Sequence, residues 1–339
     1  MGVHTMMDAS DNQAGEPPGA SHRALRGGRL AAVLIVVLVL AVVAGLWFMV
    51  SAGQAPRESD EGLSTSAAPE ASPAPGGQDR TAFPSAETSG LPQGTVLSEY
   101  TGPCQITTPD TILDAKRVDC WPLLIAAPGV EITRSQINGF VYTAEEGNGS
   151  FSITDTDVQA GENPVTGIGD VRFTATRVHV TGGNRSVMCH LDCTIEDSYV
   201  HGQFTDATGT YHESGIRMGS NAVIRGNTIA CDAPDVPPDA GCSGALTGYG
   251  DFAAIQNNVI DGNLFVAGSG GYCTYGGSTA GKPHSSETRD VRFTNNVWQR
   301  GAFGTCGYWG PITSFDSDAP GNVWSDNHWE DGAPVAPAN

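Results

Sequence analysis

Ile195-Glu196-Asp197-Ser198-Tyr199-Val200 and Ile224-Arg225-Gly226-Asn227-Thr228-Ile229 are two copies of one short pattern. An apolar residue is followed five places later by another, with a small polar residue at the fourth position. The same spacing recurs at Ile132/Ile137, Ile153/Val158, Phe173/Val178, Ile255/Ile260, Phe293/Trp298 and Trp324/Trp329. The fourth position then reads Ser135, Thr156, Thr176, Ser198, Asn227, Asn258, Asn296 and Asn327. It is never charged and never large.

A unit of about 20 residues with tolerated insertions marks a solenoid, in which each coil stacks on the next and extends one core. The units are rich in Val, Ile, Thr, Asn and Gly rather than Leu at 3.6 spacing, so the coils are predicted to be strands, not helices. An all-β parallel β-helix of about eight coils follows. The small polar residue is expected at a bend, and the four Asn are expected to stack as a hydrogen-bonded ladder. Gly139, Gly161, Gly202, Gly262, Gly301 and Gly332 close most copies, as turns of positive φ require.

Working outward, residues 96–333 form the expected β-helix domain. Residues 96–122 cover its first coil, Trp324 and Trp329 close the last, and residues 334–339 are a tail. Residues 1–29 read as a disordered cytoplasmic tail ending in Arg23, Arg26 and Arg29. Residues 30–50 carry no charge and are long enough to span a bilayer as a signal-anchor helix. Basic residues before this segment and mostly acidic ones after it place the bulk of the chain outside the cell membrane. Cleavage near Ala52, giving a secreted protein, is the other reading of this segment. Residues 51–95, rich in Pro, Ser, Ala and Gly, read as a linker.

The whole chain has 17 basic and 37 acidic residues in 339. Nucleic acid is thereby excluded as a partner, because it needs a basic footprint. The eight cysteines all follow the apolar segment, and an even count in an oxidising location argues for disulfides. Proximity suggests Cys104 with Cys120, Cys189 with Cys193, Cys231 with Cys242, and Cys273 with Cys306. Zinc is disfavoured, since no pair has CxxC spacing.

Aligning Ile195 with Ile224 brings the preceding strands into register: Arg185 with Ser214, Val187 with Ile216, and Met188 with Arg217. Strands 4.8 Å apart turn such positions into files along the solenoid. Arg185, His212, Glu213 and Arg217 are expected in one patch, with His201 within reach.

The run His212-Glu213-Ser214-Gly215-Ile216-Arg217, followed by residues 221–229, resembles right-handed parallel β-helix proteins of the pectate-lyase-like superfamily. Bacterial members carry an HxDGI segment ahead of a similar coil, and Gly182-Gly183-Asn184-Arg185-Ser186-Val187 is similar to an earlier GGEDGI segment. The resemblance covers about residues 96–332. It departs from the pattern at both acidic positions, where Ser214 and Arg185 stand in place of Asp.

The resemblance implies recognition of a polysaccharide or cell-envelope glycan along one face. It also leaves open a lyase acting by β-elimination on a uronate glycan, or a glycoside hydrolase. For a lyase, His212 is the candidate base, and Arg217 and Arg185 are the candidate cations for a uronate carboxylate. Glu213, His201 and Tyr211 are candidate substrate-binding residues, and Tyr199, Tyr249, Tyr272, Tyr275 and Tyr308 are candidate stacking platforms. No organic cofactor is expected. Ca²⁺ is a candidate ligand for Asp155 with Asp157 and for Asp316 with Asp318.

Overall fold

The computed structural model describes residues 82–339. The tail, the apolar segment 30–50 and most of the expected linker lie outside the described residues. Among the described residues no helix is long and apolar enough to cross a membrane. They form 24 strands and one short 3₁₀ turn, Ser285–Glu287.

Each coil visits three strand positions, and every strand pairs in parallel with its counterparts in the coils below and above. The first sheet stacks Val118, Ile137, Val158, Val180, Val200, Ile229, Phe265, Trp298 and Trp329. The second stacks Leu113, Ile132, Ile153, Ala175, Ile195, Ile224, Ile260, Phe293 and Trp324. In the third, Val141, Ile168, Val187, Ile216, Leu246, Thr274 and Ile312 stack. The result is an all-parallel β-solenoid with one continuous core.

These registers correct two copies of the repeat. The third copy pairs Ala175 with Val180, not Phe173 with Val178. Residues two apart share a strand face, so Phe173 also points inward, and its size hid the small residue that holds the position. The sixth pairs Ile260 with Phe265, not Ile255 with Ile260. A ninth copy, Leu113/Val118, precedes the others and has Lys116 at its fourth position, which breaks the expectation of a small uncharged residue there.

The bend between the second and first sheets has a single cause. In all nine copies the third residue lies in the left-handed region: Ala115, Arg134, Asp155, Arg177, Asp197, Gly226, Gly262, Asn295 and Asp326 have φ between 46° and 66°. Only two of them are glycine. Side chains resist this conformation, but eight of these residues donate the backbone N–H to a carbonyl of the next coil at 2.9–3.2 Å. Stacking therefore stabilises a corner that an isolated coil would not hold.

After seven of the nine corners the next residue is polar and buried: Ser135, Thr156, Ser198, Asn227, Asn263, Asn296 and Asn327. The Asn ladder runs through Asn227, Asn263, Asn296 and Asn327, with side-chain amides linked at 2.9, 3.0 and 3.0 Å. Asn263 occupies the place expected for Asn258. Asn258 is equally buried but serves another corner, accepting from Ala222 N–H and donating to the Gly219 carbonyl.

The last coil is closed by the chain end. Trp324 packs against Phe293, Trp298 and Phe315 and donates its indole N–H to the Val335 carbonyl. Val335 is itself buried. Near the start of the described chain, residues 85–91, which composition assigns to the linker, lie against the side of the solenoid. Gly90 N–H donates to the Arg177 carbonyl and Leu91 N–H to Asp157 Oδ1. All four disulfides form as proximity suggested.

Candidate functional site

The second half of the solenoid carries long excursions between strands, and these hold the exposed aromatic side chains Phe252, Phe303, Tyr308 and Trp309. Tyr272 and Tyr275 lie on the third-sheet strand Tyr272–Tyr275. The following excursion, residues 299–309, returns beside this strand. Tyr308 N–H donates to the Gly270 carbonyl and Trp309 N–H to the Gly271 carbonyl. The Cys273–Cys306 disulfide holds the same segment down.

A chain of ring contacts results. Tyr249 meets Tyr275 at 4.8 Å between centroids, Tyr275 meets Tyr272 at 6.0 Å, and Tyr272 meets Trp309 at 5.7 Å. Trp309 meets Tyr308 at 5.8 Å, and Tyr308 meets Phe303 at 5.5 Å. Trp309 is 67% exposed, Tyr308 62% and Phe303 52%. Gly271 makes room for the indole, since a Cβ there would sit 2.5 Å from Trp309 Cε3. Burial pushes the Tyr275 phenol pKa up, so its hydroxyl stays a donor.

A polar cluster adjoins the Tyr249 end. Arg217 is 4% exposed, ion-paired with Asp251, and covered by the rings of Tyr249 and Phe252 at 5.3 and 4.7 Å. His190 lies on the neighbouring coil, with Nδ1 3.8 Å from both Asp170 and Glu145. The Asp170 carboxylate raises the His190 pKa, against the opposing pull of burial. Asp170 Oδ1 is buried without a hydrogen-bond partner. Tyr142 is half-buried, and its phenol pKa is raised by burial first and then by Asp170, Glu146 and Glu145.

The residues picked out in the sequence fall in four places. Arg217 belongs to the cluster just described. Arg185 opens the strand Arg185–Glu196, in the register expected with Ser214. His212 opens the strand His212–Arg225 and faces Asp239, with Nε2 3.3 Å from Oδ2. Five residues of strand put it roughly 16 Å from Arg217. The two therefore do not share a reaction centre.

Glu213 is fully buried, and neither carboxyl oxygen has a hydrogen-bond partner. Burial, then the charge of Asp206, pushes its pKa up to about 8. Asp206 is held at about 2: burial opposes ionisation, but the amides of Tyr211, Thr210 and Thr208 and the Thr208 hydroxyl outweigh it. One acid kept neutral beside one kept ionised is a pattern of acid–base sites. Here both are shut off from solvent, so the pair acts on stability rather than on substrate. Tyr211 contacts Phe204 in the same region.

His201 is on the first sheet, stacked on Tyr199 at 4.1 Å. Its Nε2 meets His179 Nε2 at 2.8 Å, with the two rings within 12° of coplanar and their centroids 5.0 Å apart. That separation places the nitrogens nearly head-on, the geometry of an N–H···N hydrogen bond. Asp157 and Asp232 flank the outer ends of the pair.

Three of the four carboxylates considered for Ca²⁺ are engaged within the protein. Asp155 holds Arg177 at 2.7 and 2.8 Å, Asp157 accepts from Leu91, and Asp316 accepts from the Asp318 amide.

Reasoning from sequence alone overlooked Trp309, Phe303, Phe252, Asp251, His190 and Asp170. For the aromatic residues a signal was present: residues 303–309 hold three rings and a cysteine in a stretch outside the repeat. No protein-family model, curated protein or solved structure matches this chain, so its solenoid and ring platform are described from its own geometry.

Proposed function

We propose that the protein binds a glycan along the ring path from Tyr249 to Phe303. The observation that carries this reading is the run of rings in mutual contact, three of them more than half exposed, on a rigid parallel scaffold. Tyr and Trp offer an apolar face to the C–H side of a pyranose and a polar edge to its hydroxyls. Side chains held by strand pairing and a disulfide lose little entropy on binding. An extended polymer suits a site that is long rather than deep.

On this reading the solenoid is a right-handed β-helix of the pectate-lyase-like kind. Four disulfides support a location in an oxidising compartment. Residues 30–50 would serve as the membrane anchor, with the glycan in the surrounding envelope.

Affinity electrophoresis and calorimetry of the full chain against a polysaccharide panel test the proposal. Trp309→Ala and Tyr308→Ala are expected to weaken binding at least tenfold while leaving the unfolding midpoint nearly unchanged, since both side chains are exposed. Binding indifferent to both substitutions would remove the platform from the account.

A second reading, that the bound glycan is also cleaved, has one observation in its favour. His190 is paired with Asp170 beside Glu145, at the end of the same ring path, and a raised histidine pKa suits a general acid. Product formation lost in His190→Ala would establish it. Binding without product would leave recognition as the whole function.

A further inference from the structure

We infer, resting on the ring platform as the binding site, that its glycan carries no carboxylates, and that amino-bearing sugars bind more tightly than neutral ones. The reason is what borders the rings. A polyuronate needs guanidinium or ammonium groups free to pair with its carboxylates, in the bidentate manner that arginine supplies. The two arginines nearest the ends of the platform are already committed. Arg217 is buried under Tyr249 and Phe252 and ion-paired with Asp251. Arg300, beside the excursion that carries Phe303, donates Nε to Asp331 at 2.7 Å and lies over the Trp329 ring.

Lys282, on the excursion that lies over Gly250, keeps an exposed ammonium, but the groups left with capacity beside His190 are acceptors. Asp170 Oδ1 has no donor, and the Glu145 carboxylate is 58% exposed with His190 Nδ1 3.8 Å away, while the Arg172 guanidinium beneath this loop is committed to the carbonyls of Ala144, Glu145 and Gly149. Glu146 adds a second exposed carboxylate in the same loop. A chain of uronates threading this end would bring its own negative charges against three carboxylates, offset only in part by His190, and like charges repel. Sugar hydroxyls would instead donate to those acceptors, and a protonated 2-amino group would donate with charge assistance. The acidic balance of the folded region, 29 acidic against 12 basic residues after residue 81, adds long-range repulsion of polyanions.

The test compares chitosan oligosaccharides, xylan and polygalacturonate of matched length, titrated against the full chain at 50 mM and 300 mM salt. Wild type, Trp309→Ala, and the double substitution Glu145→Gln with Glu146→Gln are measured in parallel. The expected ranking is chitosan oligosaccharides, then xylan, with no measurable polygalacturonate binding. The double substitution should weaken only the amino polymer, about three- to tenfold and chiefly at low salt. Polygalacturonate binding that is lost in Trp309→Ala would overturn the inference about charge and leave the platform standing. Binding of the amino polymer that persists in Trp309→Ala, or no binding of any polymer, would overturn the platform and the inference with it.

Discussion

The two halves of the solenoid solve the same corner differently. From Lys116 to Ser198 the coils are short, with bend residues 19 to 21 positions apart where a hydrogen bond joins them. Each bend hydroxyl accepts from the backbone of the preceding coil. Ser135, Thr156 and Ser198 also donate to their own chain two residues back. No side chain there touches the next bend side chain, and at Val178 the polar group is absent.

From Ser198 onward the separations grow to 29, 36, 33 and 31 residues, and the bend residue is always Asn. Each amide in the middle of that ladder both accepts from and donates to its neighbours. An amide has two donors and an acceptor oxygen with two lone pairs, whereas a hydroxyl offers one donor. The half with the stronger corner is the half that carries the long excursions and the ring platform.

The largest effect should separate these two corners. Asn263→Ala removes four hydrogen bonds at a fully buried site and strands the Asn227 backbone N–H, leaving the Asn227 amide only the Ile195 carbonyl to donate to; a loss of about 3–5 kcal/mol is expected. Thr156→Ala strands one backbone donor, that of Ser135, and should cost about 1–2 kcal/mol. Denaturant unfolding of both variants reads the difference. Equal losses would mean that the ladder adds nothing beyond the individual bonds.

The disulfides sharpen the same contrast. Cys273 and Cys306 are 33 residues apart and clamp the platform, while Cys189 and Cys193 are 4 apart within one early strand. Loop-closure entropy predicts a loss of about 3–4 kcal/mol for the double Cys→Ala variant of the first pair and about 2 for the second. Hydrogen exchange should show residues 299–309 losing protection only when the Cys273–Cys306 pair is removed.

Glu213 sits at the seam between the halves and gives a pH-dependent test. Its folded pKa of about 8 lies above the usual carboxyl value of 4.5, so the unfolded chain releases this proton first as pH rises. Stability from this group is full below about pH 4.5 and declines until pH passes 8. Glu213→Gln should match wild type at pH 4 and exceed it by about 2–4 kcal/mol at pH 9. Equal curves across that range would place the ionised carboxylate in a solvated setting.

The smallest effect belongs to the early half. Gly90 has φ of 80°, and a Cβ there would sit 2.6 Å from His179 Cβ. Gly90→Ala should release residues 85–91 from the His179–His201 side, with about tenfold faster amide exchange confined to that segment. Unchanged protection would show that the segment is held by other contacts.

Much of the fold was legible because a parallel solenoid writes its core into a repeat. Six of the eight sequence copies have the register expected, since Ile, Val, Phe and Trp at one spacing face one core. The two misphased copies differ in cause: in the first a period-two strand places two apolar residues on the same face, and spacing alone does not say which one adjoins the corner. Phe173 concealed Ala175 in this way, whereas Ile260 was read as the second apolar residue of its copy when it is the first, and Ile255 precedes the strand.

The candidate site was legible only in part. Tyr249, Tyr272, Tyr275 and Tyr308 were named as platforms and do converge, while Tyr199 lies on the first sheet and Tyr211 beside Phe204. Arg217 was named, but its partner Asp251 is 34 residues away in an excursion that follows no repeat.

By itself, then, the sequence determined the coil: its strand chemistry, its buried polar bend and its disulfide partners, all of which depend on residues near in sequence or one period apart. Only the tertiary structure decided which side chains meet on the surface. Excursions of unequal length do not obey the period, and their return points are set by backbone pairing such as that of Trp309 with Gly271. The tertiary structure also decided that seven non-glycine residues hold left-handed corners. That conformation is unfavourable for each residue alone, and in six of the seven a neighbouring coil accepts the N–H.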